Sequence, residues 1–162
     1  NLEGVLCSMN YFIYTDGACS DNGKEKAIGG FAFIILNNAG ILKYEYAMRV
    51  ENATNNICEL SAVLGACAFF DAYTSKDNTA TIYSDSAYII NCITQKWYNK
   101  WQTNGWRNSK KEPVANRELW ERLIPYFESP RFCFEKVKGH SGKKDWNDYV
   151  DKLAVEAKKI KV

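Results

Sequence analysis

The chain has 162 residues, a net charge of +2, 46% hydrophobic residues and 25% charged residues. These values are typical of one soluble globular domain that buries its own core, and so small a net charge does not by itself indicate a nucleic-acid-binding protein. No apolar run approaches the roughly 18 residues that a membrane span requires, and no signal-peptide pattern opens the sequence, so we expect no membrane partner.

Six cysteines are spread singly along the chain, without a C-x-x-C pair or the spacing of a zinc site: Cys7, Cys19, Cys58, Cys67, Cys92 and Cys133. Several lie in apolar runs, where cysteine behaves as a small hydrophobic residue. We expect reduced thiols in an intracellular, cytoplasmic protein, with disulfides as the alternative. The chain begins with Asn1 rather than Met, which is compatible with trimming or with excision from a longer protein.

The first half of the sequence predicts three strands and a helix. The stretch YFIYTD, residues 11–16, is rich in β-forming residues and ends in an aspartate. Residues 30–36 and 41–50 predict a hairpin around the turn Asn-Asn-Ala-Gly. Apolar residues then recur at three- and four-residue steps and predict a helix with one buried stripe, formed by Ile57, Leu60, Leu64, Cys67 and Ala68.

The second half predicts two more strands, TATIYSD and RFCFEKV, and helices in SAYIINCITQ, NRELWERLIPYFE and DWNDYVDKLAVEAKKI. The first three strands can pair as an antiparallel meander, whereas a strand–helix–strand crossover joins strands in parallel. We therefore predict an α/β fold with a mixed five-stranded sheet, three strands antiparallel and two parallel, and helices on both faces. No repeat or linker divides the sequence, so we predict one domain over residues 1–162.

Carboxylates are predicted to gather at one edge of this sheet. Asp16 and Asp85 each end a predicted strand, and we place these two strands as neighbours. Glu59 lies in the helix between them, and Asp148 and Asp151 are three residues apart in the last helix. Converging carboxylates repel one another unless cations lie between them, and oxygen ligands suit Mg²⁺ or Mn²⁺. The alternative is that Asp16 is a turn residue, Asp85 caps a helix and Glu59 is a surface acid.

Five stretches, in this order, resemble the type 1 ribonuclease H family: IYTDGAC, TNNICEL, IYSDSAYI, a tryptophan-rich stretch that begins QKWYNKWQTNGW, and VKGHSG followed by DKLA. The resemblance extends from about residue 11 to about residue 158, nearly the whole chain. It implies the ribonuclease H-like fold and a metal-dependent endoribonuclease. In this family two Mg²⁺ ions, for which Mn²⁺ is a possible substitute, assist hydrolysis of the RNA strand of RNA–DNA hybrids and leave 5′-phosphate and 3′-hydroxyl ends.

The resemblance places the family's first three metal-binding carboxylates on Asp16, Glu59 and Asp85. The sequence DKLA matches the family's Asp-x-Leu-Ala and places the fourth carboxylate on Asp151. The segment between His140 and that aspartate is one residue longer than in the bacterial pattern, so Asp148 stays an alternative for the fourth position. His140, the only histidine of the chain, matches the family's mobile histidine, which assists proton transfer or product release.

The resemblance also implies contacts to the hybrid from the side-chain amides of Asn22, Asn55 and Asn56. An amide both donates and accepts hydrogen bonds, which suits the 2′-hydroxyl that distinguishes RNA from DNA. The alternative is turn chemistry at a helix start. Where the family often has Gln, two residues after the third carboxylate, this chain has Ala87, so one minor-groove contact is expected to be missing.

Residues 95–122 resemble the basic protrusion of bacterial and eukaryotic members. Basic side chains there would neutralise phosphates, and the interleaved tryptophans would pack together or offer an edge to the hybrid. The substrate-binding candidates in this segment are Lys96, Trp97, Lys100, Trp101, Trp106 and Arg107. Beside His140, Lys143 and Lys144 would add positive charge near the scissile bond or belong to a solvated loop.

We expect an active, monomeric enzyme whose partner is an RNA–DNA hybrid. A non-catalytic binding domain of the same fold would be favoured by missing carboxylates, and all four are present. A ribonuclease H domain of a reverse transcriptase polyprotein is compatible with the first residue, although the protrusion disfavours it. A DNA-cutting relative, such as an integrase or resolvase, shares the metal chemistry but is not expected to combine VKGHSG with the tryptophan-rich segment.

Overall fold

The computed structural model describes residues 8–20, 27–137 and 145–160, which form five strands and five helices. In chain order these elements are β1 (Asn10–Cys19), β2 (Ile28–Leu36), β3 (Leu42–Glu51), α1 (Asn55–Tyr73), β4 (Thr79–Ser84), α2 (Ala87–Thr94), α3 (Trp97–Asn104), α4 (Arg117–Phe127), β5 (Phe132–Lys136) and α5 (Trp146–Ala157).

The strands form one mixed sheet in the order β3-β2-β1-β4-β5. The strands β1, β2 and β3 pair antiparallel as a meander, and β4 pairs in parallel with both β1 and β5. This topology confirms the predicted fold class. Because α1 connects β3 back to the far side of β1, the carboxyl ends of β1 and β4 come to lie side by side.

Helices cover both faces of the sheet, as predicted. On one face a core of apolar residues joins the sheet to α1, α2, α3 and α4, and its largest fully buried side chain is Trp120. On the other face α5 packs on β1, β2 and β3, where Val150 and Ala154 meet Ala32 and Ile34. Among the residues that the structure describes, no helix has the length and apolar character needed to cross a membrane.

Helix α1 is buried more widely than its predicted stripe. Ala68, expected inside, is exposed, whereas Ala62, Val63, Ala66 and Phe70 are buried. The reason is that α1 packs on β1 and β2 and is also flanked by α4, so two of its sides face apolar neighbours. The first turn of α1 therefore packs against the centre of the sheet.

The end of β1 differs from the prediction in a way that matters for Asp16. The strand does not end at this residue, because the antiparallel ladder with β2 continues through Asp16, paired with Ala32, as far as Cys19. The parallel ladder with β4 stops earlier, at Tyr14. Asp16 therefore stands on a strand held on one edge only, beside the gap that opens where β4 ends.

Candidate active site

Three carboxylates from three separate elements converge at this gap. Asp16 comes from β1, Glu59 from the first turns of α1, and Asp85 from the residue that follows β4. One side-chain oxygen of each lies within 4.8 Å of those of the other two. Asp16 is 2% exposed, Glu59 is half-buried and Asp85 is exposed, so the carboxylate cluster formed by these three residues opens to solvent on one side only.

Gly17 brings Glu59 into the carboxylate cluster. A Cβ atom on Gly17 would lie 2.5 Å from both the backbone nitrogen of Glu59 and the carbonyl carbon of Cys58, so only glycine lets α1 approach β1 this closely. The Gly17 N–H donates to Asp16 Oδ1 at 2.9 Å and also lowers the pKa of Glu59 by hydrogen bonding. Thr54 caps the helix start, since its Oγ1 accepts from the N–H of Ile57 at 3.1 Å.

Hydroxyl groups fix the end of β4 and therefore Asp85. Thr15 Oγ1 donates to the carbonyl of Tyr83 at 2.8 Å and ties the two parallel strands together at the end of their ladder. The buried Ser84 accepts from the N–H of Ser86 at 3.1 Å, and Ser86 caps α2 by accepting from Ile89 at 3.2 Å. The cap of α2 is therefore Ser86, which leaves the Asp85 carboxylate to the cluster.

Burial and mutual repulsion hold protons on the carboxylate cluster. Burial, then Glu59 and Asp151, then Asp85 raise the pKa of Asp16 to about 10. Burial and the charge of Asp85 raise the pKa of Glu59 to about 8, while hydrogen bonds from Asp16 and Gly17 oppose the rise. Burial also raises the pKa of Asp85, although Lys136 acts in the opposite direction. Burial and repulsion thus favour the protonated form of Asp16, whose hydrogen bond with Glu59 opposes the rise in the pKa of Glu59.

The donor set fits a hard divalent cation. All of its donors are carboxylate oxygens, the ligands that Mg²⁺ and Mn²⁺ prefer. Glu59 Oε2 is buried and has no hydrogen-bond partner among the described residues. A buried acceptor without a partner lowers the stability of the fold unless it binds a cation or a donor. An ion would also relieve the repulsion that raises the three pKa values.

Asp151 lies next to the carboxylate cluster, and Asp148 is one turn away along α5. A hydrogen bond between Asp151 and Asp16 helps to raise the pKa of Asp16, and the charge of Asp151 does the same for Glu59 and Asp85. Asp148 is not among the main causes of any of these shifts. It lies in the first turn of α5, where its N–H donates to the capping residue Asp145 at 3.4 Å.

Three further groups of predicted residues have different placements. His140, Asn22, Lys143 and Lys144 lie outside the described residues. Asn55 and Asn56 are exposed at the start of α1, one turn before Glu59, and thus reach the same side of the sheet. Ala87 is exposed at the start of α2.

The predicted protrusion holds a cavity of about 350 Å³ between α3, the end of α2 and the following loop. We call it the protrusion cavity; its walls are Tyr88, Gln95, Lys96, Trp97, Lys100, Trp101, Arg107, Asn108 and Ser109. Lys96, Lys100 and Arg107 are exposed at its rim, and Trp97 is half-buried with its Nε1 donating to Gln95 at 3.0 Å. Aromatic walls with basic rims suit a polyanion that carries flat bases or sugars.

Two of the predicted substrate-binding tryptophans are mostly in the core. Trp101 is 6% exposed and Trp106 is 7% exposed. Their ring centroids are 5.7 Å apart, and Trp101 packs edge-on against Trp120 at 5.4 Å. This placement favours the packing alternative for both, with only a small part of Trp101 on the wall of the protrusion cavity.

Sequence reasoning did not single out Gly17, Tyr88 or Lys136. Tyr88 follows Asp85 by three residues on α2, and that spacing could have indicated that it lies between the carboxylates and the protrusion. Lys136 continues the alternation of Phe132 and Phe134, which marks it as the first exposed residue on the face of β5 that those two residues bury. Gly17 had no signal of its own, since Asp-Gly pairs are common in turns.

Comparison with known proteins agrees with this geometry. The RNase H family model matches residues 8–159. A ribonuclease H from Clostridium botulinum is 44% identical over 145 residues, which cover 90% of this chain and 93% of the relative. A ribonuclease H from Syntrophomonas wolfei is 45% identical over 145 residues, again 90% and 93% of the two chains.

Solved structures show the same fold. LC9-RNase H1, described as a type 1 RNase H with the type 2 active-site motif, superposes with a TM-score of 0.77 at 24% identity and covers 95% of this chain and 74% of its own. The PFV RNase H domain superposes with a TM-score of 0.73 at 20% identity, over 96% and 98%. The chain therefore belongs to the ribonuclease H family and is a ribonuclease H, a hydrolase of nucleic acids.

Proposed function

We propose that this ribonuclease H cuts the RNA strand of RNA–DNA hybrids internally and leaves 5′-phosphate and 3′-hydroxyl ends. The observation that carries the proposal is the carboxylate cluster, with ligand oxygens within 4.8 Å of one another and Glu59 Oε2 buried without a partner. A structure bound to an RNA/DNA hybrid, that of a foamy viral protease-reverse transcriptase, superposes with a TM-score of 0.76 at 18% identity over 91% of this chain and 20% of that one.

Asp16, Glu59, Asp85 and Asp151 would hold the metal in this proposal, as two Mg²⁺ ions for which Mn²⁺ is a substitute. When bound, the ions would supply a nucleophilic water and stabilise charge on the leaving 3′ oxygen. The chain's own contribution is to fix the carboxylates on packed elements and to exclude water from Asp16 and Glu59. His140 is proposed as an auxiliary group for proton transfer or product release.

The hybrid would lie across the open side of the carboxylate cluster and reach the protrusion cavity. We propose that Asn22, Asn55 and Asn56 contact the minor groove, where an amide can address a 2′-hydroxyl. Basic side chains at the cavity rim would neutralise backbone phosphates, namely Lys96, Lys100 and Arg107. Trp97 offers its edge, and Trp101 and Trp106 hold the wall in place.

One chain would suffice for catalysis, because all four proposed carboxylates come from the same chain. We propose a monomer with one catalytic domain over residues 1–162, a core from about residue 11 to about residue 158, and a basic protrusion at residues 95–122. The five described cysteines form no disulfide with one another, which fits the intracellular, cytoplasmic location that we propose.

The test of the substrate is cleavage of an end-labelled RNA strand in an RNA–DNA hybrid with Mg²⁺, Mn²⁺ or EDTA. Duplex DNA and single-stranded RNA serve as controls, and Asp85→Asn is assayed in parallel. We expect cleavage of the hybrid alone, with either metal, and none in EDTA or in the variant. Cleavage of duplex DNA would overturn the assigned substrate, and hybrid binding without cleavage would indicate a non-catalytic domain.

The fourth carboxylate is tested by a matched pair of substitutions on one helix. Asp151→Asn and Asp148→Asn make the same chemical change at exposed positions one turn apart in α5. We expect Asp151→Asn to lower kcat by at least about 100-fold and to raise the Mg²⁺ requirement, because it removes a ligand, and Asp148→Asn to change kcat less than about twofold. The reverse result would assign the fourth position to Asp148.

A further inference from the structure

Lys136 is held at the end of β5 by its pairing with β4. Its register partner is Ser84, the residue before Asp85, and the N–H of Val137 donates to the carbonyl of Ser84 at 2.9 Å. The backbone of Lys136 is thus fixed one residue short of the carboxylate cluster. Asp85 and Lys136 stand at the same edge of the sheet, on adjacent parallel strands.

The side chain of Lys136 leaves the sheet on the face that carries the protrusion. Phe132 and Phe134 are buried on the face that packs against α2 and α4, and strand alternation places Lys136 on the same face. Lys136 is exposed because the core ends there. Since Lys136 pairs with Ser84, two residues before the cap of α2, it lies beside the start of the helix whose Tyr88 lines the protrusion cavity.

Lys136 carries an exposed positive charge near the carboxylate cluster. Its ammonium forms none of the ion pairs found among the described residues. It is near enough to lower the pKa of Asp85, which places it within electrostatic reach of the carboxylate cluster. Two divalent ions would balance four carboxylates, so Lys136 would then remain as a positive charge beside a neutral site. A phosphodiester that enters this site brings the matching negative charge.

We infer that Lys136 binds a backbone phosphate of the strand that is cleaved, next to the scissile bond on the side of the protrusion. The inference rests on the proposed function and adds a substrate-binding residue to it. The ammonium would contribute one phosphate contact and hold the strand in register between the carboxylate cluster and the protrusion cavity. It would take no part in proton transfer or metal binding.

The experiment compares Lys136→Ala, Lys136→Arg and the control Lys76→Ala. Lys76 is an exposed lysine in the turn between α1 and β4, at the opposite end of the sheet from Asp85. Cleavage of the hybrid is measured at saturating Mg²⁺ and at several salt concentrations. We expect Lys136→Ala to raise KM by about 5- to 10-fold and to change kcat by less than about twofold. The slope of log kcat/KM against log salt concentration should become shallower by about 0.7 to 0.9, which is the value for one phosphate contact. Lys136→Arg should restore most of the affinity, and Lys76→Ala should leave both constants unchanged.

Kinetic and binding results could each overturn the inference. An unchanged KM in Lys136→Ala would show that the ammonium does not touch the substrate. A changed Mg²⁺ requirement with unchanged KM would make it a charge partner of Asp85 alone. Binding of a labelled hybrid to Asp85→Asn, with and without Lys136→Ala, gives the same answer without turnover. Failure of the wild-type protein to cut the hybrid would therefore refute the proposed function, and equal binding by the two variants would refute the role of Lys136.

Discussion

The carboxylate cluster and the protrusion cavity differ in how the fold holds them. Asp16 and Glu59 are carried by a strand and a helix that touch at Gly17 without room for a side chain. The basic side chains at the rim of the protrusion cavity are exposed. They lie in or beside turns, in which Lys96 and Trp106 have positive φ angles of 54° and 61°. We therefore expect substitutions in the cluster to change the rate of the chemical step, and substitutions at the rim to change how tightly the substrate binds.

The largest effect is expected from Glu59→Gln, which keeps the shape of the side chain and removes its charge. We expect kcat to fall by about 10³-fold or more, because one of the proposed metal ligands is lost. The same variant should increase the free energy of unfolding of the metal-free protein by about 1 kcal/mol or more, since burial raises the pKa of Glu59 to about 8 and ionisation therefore opposes folding. Single-turnover cleavage and urea unfolding in EDTA measure the two quantities.

The control for Glu59→Gln is Glu118→Gln, at an exposed position in the first turn of α4. It should leave kcat unchanged and lower the free energy of unfolding by less than about 1 kcal/mol, through loss of a charge near the helix N-terminus. If Glu59→Gln lost stability together with activity, Glu59 would be a structural residue of α1, and the carboxylate cluster would have to be redefined.

Gly17→Ala should destabilise the fold by about 1–3 kcal/mol, because the added methyl group would overlap backbone atoms that cannot rotate away. The Cβ would be 2.5 Å from the Glu59 nitrogen, so relief of the overlap must shift α1 and reduce kcat as well. Gly65→Ala is the matched control, since its Cβ would meet Phe33 at 3.4 Å and Gly65 lies inside the same helix, where alanine is preferred. Thermal unfolding and kcat of both variants test the pair. A Gly17→Ala variant as stable as the wild type would show that the close approach is not required.

Stabilisation by Mg²⁺ should grow with pH. In the metal-free fold the pKa of Asp16 is about 10 and that of Glu59 about 8, well above the values of about 4 in the unfolded chain. From about pH 4 to about pH 10 these two carboxyl groups therefore bind more protons in the folded protein than in the unfolded chain, and their contribution to stability falls as the pH rises. A bound cation has to displace these protons, so its effect is weakest at low pH.

The measurement is Tm with Mg²⁺ and with EDTA between about pH 6 and about pH 9. We expect the difference between the two to increase with pH by several degrees, and to increase less in Glu59→Gln. A difference that is constant over this range would mean that no proton leaves the carboxylate cluster when the metal binds.

The convergence of Asp16, Glu59 and Asp85 could be predicted from the sequence because it depends mainly on topology, whereas Asp151 was assigned by the family resemblance. Once β1 and β4 are recognised as parallel neighbours, Asp16 and Asp85 must meet at one edge, and the crossover helix must carry Glu59 past them. The continuation of β1 to Cys19 could not be predicted, because it depends on pairing with β2 and not on the residues of β1. The result is that the backbone at Asp16 is paired with β2 on one side only and lies beside the gap where β4 ends.

The surfaces that depend on tertiary packing were harder to predict. The spacing of Trp97, Trp101 and Trp106 cannot show which ring is buried, since that is decided by Trp120 of α4 and by the turn after α3. A left-handed backbone is uncommon for lysine, and nothing in the sequence around Lys96 predicts one. The conformation arises at the junction where α2 ends and α3 begins.

Substitutions of Lys96 are expected to have the smallest effect. They separate the contribution of its charge from that of backbone strain at the rim of the protrusion cavity. With φ at 54° and ψ at 46°, any side chain with a Cβ is strained, and glycine is not. Lys96→Gly and Lys96→Ala remove the same charge, so both should raise KM for the hybrid by about two- to threefold and reduce its salt dependence equally. Only the glycine variant should relieve the strain, and it should be more stable than the alanine variant by about 0.5–1 kcal/mol. Equal stabilities would show that the surrounding helices accommodate this backbone without strain, whereas different KM values would mean that the conformation of the turn itself contributes to binding.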